Sequence, residues 1–337
     1  MKYDEERRRA ALARWDTLAK PLGGMGVFEE MIAQIEGMPA AQGGRRRRVL
    51  VFCADNGVVA EGVTQTGSEV TATVAANIAR GAASVSLMAR AAGADVLAAD
   101  IGMNAPAEGV EDVCVLRGTA DICERPAMTR EQCLSCIRTG EELALRSARE
   151  GYTMLAVGEM GIGNTTTAAA CACALLGLSP EESAGRGAGL SDAGLKRKRE
   201  CLRRALEGRR PNADDPVDVL AKVGGADIAG MCGAFLGCAR AGIAAVIDGF
   251  ISSVAALCAV RLSPECAPYL LPSHLSGEPA AARVLAALGM HPPLCARMAL
   301  GEGTGAVALF PLLDLARAVY DGMPTFAEAS VTAYKRL

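Results

Sequence analysis

Short apolar, β-branched runs alternate with longer Ala-rich stretches across the middle of the chain, and this alternation limits the fold more than any other feature. The runs are Val49–Ala54, Val96–Ile101, Val113–Leu116, Thr153–Val157, Ile243–Ile247 and Tyr269–Pro272. The segments between them are long enough for crossover helices, so the pattern predicts an α/β fold on a mostly parallel, six-stranded sheet. The clearest runs stop at polar or Gly-containing turns: Asp55-Asn56-Gly57, Asp100 to Asn104, Gly158 to Asn164 and Asp248-Gly249. Ligands bind open parallel sheets beyond the carboxyl ends of the strands, so a site is expected at these turns.

The two ends of the chain read differently. Residues 5–20 are charged and helix-prone, with Ala11, Leu12, Trp15 and Leu18 at helical spacing. The stretch Lys20 to Gly26 breaks that helix and a second begins near Val27. From about Pro292 the chain reads as helices around a Gly-rich loop, Leu300-Gly301-Glu302-Gly303-Thr304-Gly305. Neither end alone has enough apolar surface for a core, so residues 1–45 and 291–337 are expected to form one small helical domain beside a larger domain of residues 46–290. The run Arg45–Arg48 reads as a solvated loop ahead of the first strand.

Composition narrows the function. With 51% hydrophobic and 22% charged residues among 337, the chain lies outside the range of disordered sequences. Lys and Arg total 35 against 38 Asp and Glu, and aromatics are 4%, so neither a basic field nor a stacking platform for nucleic acid is present. No apolar run reaches about 18 residues, which argues against a membrane span. The highly charged start lacks the apolar segment of a signal peptide, so the thirteen Cys are expected to be reduced thiols of a cytoplasmic protein. Several sit within apolar runs, as small buried hydrophobes do. P-loop, G-x-G-x-x-G, G-x-S-x-G and H-E-x-x-H motifs are missing, and His274 and His291 are the only histidines. Cys133 and Cys136 form a single pair on one helix face, so no metal site and no cofactor are assigned.

The positive signals are three. The run Leu155 to Thr167 reads as a buried strand entering a Gly-rich loop that opens a helix at Asn164 and Thr165. Backbone N–H groups at such a helix start, with its dipole, suit a phosphate, and an ordinary Asn/Thr cap after a tight turn is the alternative. Downstream, Gly185 to Asp192 forms another flexible loop, followed by Lys196, Arg197, Lys198 and Arg199, one of which can reach an anion while the rest form a solvated face. Glu302 stands among Gly301, Gly303 and Gly305, where a carboxylate is either a general base or an ordinary capping residue.

Eight blocks in order across nearly the whole chain resemble the nicotinate-nucleotide:dimethylbenzimidazole phosphoribosyltransferases, which act in cobamide lower-ligand assembly. They are Lys20-Pro21-Leu22-Gly23, Ala54 to Val58, Gly158 to Thr166, Gly185 to Leu190, Val223-Gly224-Gly225, Asp248 to Ser252, Ser273 to Pro279 and Leu300 to Ala306. The resemblance implies a Rossmann-like nucleotide-binding domain with a small helical domain from both termini, usually in a homodimer. It implies transfer of ribose 5-phosphate from nicotinate mononucleotide to an aromatic lower-ligand base, giving nicotinate and an α-riboside phosphate. Glu302 corresponds to the family's catalytic carboxylate. Gly161, Gly163, Asn164 and Thr165 map to the phosphate, with Lys198 as its cationic partner. Glu159 would set the ribose and base geometry, and Gly249 and Ser276 lie near the nicotinate or ribose. Gln65, Thr66, Thr73, Met160 and Leu300 fall to the lower-base pocket.

The departures concern that pocket. Asn56 stands where the family usually has His, Thr66 replaces an aromatic wall and Thr73 replaces the usual Gln further on. These changes point to a different preferred base, such as another benzimidazole, a purine or a phenolic compound. The competing readings are a related ribosyl or phosphoribosyl transferase and a non-catalytic nucleotide-binding or partner subunit, the latter compatible with pairing to a homologous chain.

Overall fold

The structure, a computed structural model, describes residues 2–42 and 45–334. Helices α1 (Glu5–Thr17) and α2 (Val27–Glu36) precede strand β1 (Arg47–Ala54), and α3 (Glu69–Ala79) and α4 (Ser84–Ala91) lead to β2 (Ala94–Gly102) and β3 (Glu111–Asp112). Helix α5 (Arg130–Arg149) returns the chain to β4 (Met154–Met160). Five helices then intervene: α6 (Asn164–Leu176), α7 (Pro180–Ser183), α8 (Asp192–Arg209), α9 (Pro216–Val223) and α10 (Ala226–Ala241). Strand β5 (Ala244–Ile247), α11 (Phe250–Leu262), β6 (Leu270–Pro272), α12 (Ala281–Ala287) and α13 (Thr304–Gly322) complete the order.

The sheet order is β3-β2-β1-β4-β5-β6, with every pairing parallel. From β1 the chain runs outward on one side to β2 and β3, then crosses back to β4 and outward on the other. The order therefore reverses between β1 and β4, and the crevice at their carboxyl ends is the place this topology offers a ligand. Both faces of the sheet are covered, which explains why its strands read as continuous apolar runs. Leu50 and Phe52 face the layer containing α5, α6, α10 and α11, whereas Val49, Val51 and Cys53 face α3, α4 and α13. A third cluster joins the chain ends: Ala11, Trp15 and Leu18 pack with Ile32, Ala33, Ala316 and Tyr320. No helix among the described residues is long and apolar enough to cross a membrane.

Two sequence expectations need correction. The run Val113–Leu116 is not a strand, because pairing stops at Glu111–Asp112. Val113 and Val115 still donate to the Asp100 and Ile101 carbonyls, but the Asp112 carboxylate takes the Cys114 N–H at 3.1 Å and turns the chain. The Arg45–Arg48 run is not wholly a loop, since Arg47 and Arg48 belong to β1. Arg47 is buried, forks onto Asp314 of α13 at 2.5 and 2.8 Å and lies over the Phe310 ring. Arg48 stacks on Tyr152 and pairs with Glu150 at 2.6 Å. Partners on neighbouring elements thus let cations extend an apolar strand.

Glycine sets the closest packing. On α5 and α10, a methyl group at Gly140 would lie 1.8 Å from the Gly230 carbonyl oxygen, and one at Gly233 would lie 1.8 Å from that of Ile137. The two backbones touch, so overpacking there has no flexible side chain to absorb it. Gly233→Ala is expected to cost about 3 kcal/mol. In contrast, Gly208→Ala, with open space around an exposed position on α8, should gain about 0.5–1 kcal/mol. Urea denaturation of the two variants checks both signs.

Candidate active site

Strand β4 delivers Glu159 to the crevice, and the turn Gly161-Ile162-Gly163 passes directly into α6. The turn fits because its glycines need no room for a side chain. A Cβ at Gly161 would sit 2.5 Å from the Ala54 carbonyl, and Gly163 has φ +94°. Helix α6 starts at Asn164 with no side-chain cap on its first N–H groups. The Asn164 side chain points the other way, donating to Glu159 and, at 3.0 Å, to Asp227 of α10. Burial, first, and then the neighbouring Asp227 push the Glu159 carboxyl well above its ordinary range, against the Asn164 bond. Burial also raises Asp227, to about 6, opposed by the same amide. This cluster favours neutral acids over a set of adjacent anions.

Glu302 reaches the same crevice from the loop ahead of α13. Gly301, Glu302 and Gly303 have φ of +86°, +62° and +94°, a left-handed turn that costs Glu302 about 1–2 kcal/mol because it carries a Cβ. Hydrogen bonds and close backbone packing hold it. The Glu302 N–H donates to the Glu159 carbonyl at 3.2 Å. Buried Asp248, at the end of β5, accepts the N–H groups of Gly303 at 3.1 Å and Ala306 at 3.0 Å, anchoring the start of α13. Gly158 lets the loop lie flat on β4, since a Cβ there would be 2.4 Å from the Gly303 nitrogen. One Glu302 carboxylate oxygen takes the Val85 N–H at 3.1 Å, at the first turn of α4. Burial raises the Glu302 carboxyl above its usual value, the Val85 bond opposes this, and Asp248 adds to it. The result is a half-buried carboxylate of increased basicity, suited to accepting a proton.

Lys198 supplies the positive charge. It lies on α8 with its side chain fully buried, and Nζ donates to the Thr165 hydroxyl at 2.8 Å, beside the start of α6. Burial lowers its ammonium to about 8, and the Glu278 carboxylate partly restores it. The N–H groups of Asn164 and Thr166 donate to the Gly161 and Gly163 carbonyls, so the buried cation beside Thr165, at the positive end of the helix, is the feature suited to an anion. Lys196 and Arg197 of the same helix are exposed, so Lys198 is the residue that reaches inward.

One cleft of about 230 Å³ is lined by Glu159, Met160, Gly161, Gly163, Asn164, Thr165, Gly249, Ser276, Leu300 and Glu302, with Gln65 and Thr66 at its edge. Lys198 stands behind Thr165. Thr73 does not join them. It is exposed on α3 and its hydroxyl bonds back to the Glu69 carbonyl, whereas buried Thr71 accepts the Ile162 N–H at 3.2 Å. Two positions along a helix are about 200° apart, so Thr71 points inward beneath the Ile162 turn and Thr73 outward to solvent. Sequence reasoning also did not single out Asp227, Asp248, Gly158 and His274 as site residues. His274 is buried on the cleft wall, with Nδ1 3.1 Å from the Ser273 hydroxyl, and its ring occupies the space a Cβ at Gly305 would need. The Asp248-Gly249 and Ser273-His274 strand ends were the available signal.

The chain is similar to known proteins along nearly its whole length. Residues 1–331 match the DBI_PRT family model, described as Phosphoribosyltransferase. A nicotinate-nucleotide–dimethylbenzimidazole phosphoribosyltransferase of Ruminiclostridium cellulolyticum is 42% identical over 98% of this chain and 96% of its own length. Its namesake from Pseudomonas aeruginosa strain UCBPP-PA14 is 43% identical over 98% and 95%. The crystal structure of CobT from Thermus thermophilus superposes with a TM-score of 0.90 at 40% identity, covering 98% of this chain and all of that one. With the match spanning both walls of the cleft and nearly every residue between them, the chain belongs to the nicotinate-nucleotide–dimethylbenzimidazole phosphoribosyltransferase family.

Proposed function

We propose that this protein transfers the ribose 5-phosphate of nicotinate mononucleotide to an aromatic lower-ligand base. The observation that carries the reading is the pairing, across one cleft, of a half-buried, basic Glu302 with an anion site made by α6 and Lys198. The 5-phosphate sits at the positive end of α6, near Thr165, and Lys198 neutralises it. Glu159, favouring its neutral form, keeps a proton to donate toward the ribose. Gly249 and Ser276 border the nicotinate side.

The chemistry is a single displacement. One ring nitrogen of the incoming base attacks the anomeric carbon as that carbon's bond to the pyridinium nitrogen breaks, and the electron pair neutralises the ring as it leaves as nicotinate. The base's second ring nitrogen gives its proton to Glu302; a phenol would instead attack through its hydroxyl oxygen and give Glu302 the hydroxyl proton. Attack from the face opposite the leaving group inverts β to α. Because the leaving group is already cationic, it needs no protonation, and holding two reactants in line supplies much of the acceleration. Gln65, Thr66, Met160 and Leu300 border the base. The small Thr66 hydroxyl, in place of an aromatic wall, supports preference for a base other than dimethylbenzimidazole: another benzimidazole, a purine or a phenol. In the same reading the working unit is a homodimer, as the resemblance implies.

Incubating the protein with nicotinate mononucleotide and a panel of bases should release nicotinate and form riboside phosphate. Glu302→Gln is expected to lower kcat by about 10²–10⁴. Equal rates in the two proteins would remove Glu302 from this role, and the strongest turnover with dimethylbenzimidazole at low base concentration would remove the altered preference. The pH profile follows from the two shifted groups. Glu302 works as a base only when ionised, so activity falls as pH drops through its raised value, above the usual 4.5. Lys198 binds phosphate only when protonated, so kcat/KM for the mononucleotide falls as pH rises through about 8. Lys198→Met should raise KM at least about tenfold and abolish that alkaline fall; an alkaline limb that survives in the variant assigns it elsewhere.

A further inference from the structure

The transfer reaction leaves one cluster of ligand-type side chains unused. A short 3-10 helix, Gly57–Glu61, follows β1; residues 113–129 join β3 to α5; and α8 carries both Lys198 and Cys201. The three segments meet at Glu61, Asp121, Cys123 and Cys201. The sulfurs of Cys123 and Cys201 are 3.0 Å apart. One ligand-capable atom from each of Glu61, Asp121 and Cys123 lies within 4.8 Å of the other two. Cys201 is buried, while Glu61, Asp121 and Cys123 are partly open to solvent, which gives an ion a way in.

We propose that this cluster is a binding site for one divalent cation of the zinc type, with Cys123 and Cys201 thiolates and Asp121 and Glu61 carboxylates as its four donors. Two thiolates with two carboxylates suit a borderline-soft ion of tetrahedral preference, and four protein donors close the shell, which marks the site as structural. Zinc–sulfur bonds of about 2.3 Å and zinc–oxygen bonds of about 2.0–2.2 Å place neighbouring donors about 3.4–3.8 Å apart. The two sulfurs therefore open by about 0.8 Å, the Cys123 and carboxylate donors close in by up to about 1.4 Å, and Cys201, which lies outside the 4.8 Å group, swings further toward the carboxylates.

The outer contacts are also present. Arg204 grips both Glu61 oxygens, at 2.9 and 3.0 Å, and fixes the direction of that carboxylate. One Asp121 oxygen accepts the Cys123 N–H at 2.9 Å, leaving the other for an ion. Partners of this kind orient metal ligands. The four donors carry more negative charge, once the thiols ionise, than one guanidinium offsets, and a dication meets the remainder. On binding, each thiol sulfur forms a bond to the ion and releases its proton to solvent. A disulfide would join the two sulfurs alone, whereas a dication engages the Glu61 and Asp121 carboxylates as well. Cys201 is one turn beyond Lys198 on α8, so the ion would tie the phosphate-binding helix to the end of β1.

Cobalt(II) is the probe, added to the purified, reduced protein. One equivalent is expected to bind, with a thiolate-to-cobalt charge-transfer band in the near ultraviolet and the visible absorption of a tetrahedral ion; zinc should displace it. Cys123→Ser should remove about half of the charge-transfer intensity and weaken binding at least about tenfold. Asp121→Asn, nearly the same size and shape, keeps both thiolates and should retain the full band while weakening binding at least about tenfold. Cys295→Ser, an exposed thiol elsewhere, should change nothing. The absence of a charge-transfer band, or a band unchanged in Cys123→Ser, overturns the site. The readout is spectroscopic and needs no turnover, so it is independent of the proposed reaction.

Discussion

The site depends on a close approach between two backbones. The loop carrying Glu302 lies against the end of β4, and only a residue without a side chain at Gly158 permits the contact. Asp248 then secures the loop from beneath by accepting two N–H groups at the start of α13. A carboxylate at a helix start is favourable in its own right, through the helix dipole and charge-assisted hydrogen bonds. Asp248 thus stabilises α13, holds Glu302 in its left-handed turn, and contributes a nearby negative charge that makes Glu302 more basic. One buried residue links the packing of the C-terminal helix to the chemistry of the cleft.

Charge is divided between the walls of that cleft. Glu159, Asp227, Asp248 and Glu302 crowd one region; burial raises all four carboxyls, and repulsion from neighbouring carboxylates adds to it at Glu159 and Glu302. Lys198 faces the other side, where the positive end of α6 adds to its field. Of the carboxyl wall, ionised Glu302 repels an anion, and the helix start beside Lys198 accepts it, so a substrate with a phosphate at one end and a cation at the other has one favoured orientation. The cation of a pyridinium nucleotide matches ionised Glu302 for the same reason.

Much of this is legible in the sequence, for physical reasons. Five of the six strands are visible because a parallel sheet covered on both faces requires continuous apolar runs. The turns around Gly161, Gly163 and Glu302 are visible because close approach and left-handed backbone demand glycine. Local patterns carry no information about contacts made through space. Asp227 arrives from the first turn of α10, far along the chain from the Asn164 amide it meets, and Arg47 hides in a strand by virtue of Asp314 on a helix more than 260 residues away. The resemblance assigns Thr73 to the cleft, but the rotation of α3, which no local pattern reports, turns it to solvent. A count of histidines sets His274 aside, yet its position just past the end of β6 puts it on the cleft wall.

The most direct test of the central claim is a crystal structure of the protein with nicotinate mononucleotide bound. The account predicts the 5-phosphate within hydrogen-bonding distance, about 3.2 Å or less, of Thr165 at the start of α6, with the anomeric carbon turned toward Glu302. A phosphate bound at the carboxyl wall, or a nucleotide whose anomeric carbon faces away from Glu302, would contradict it.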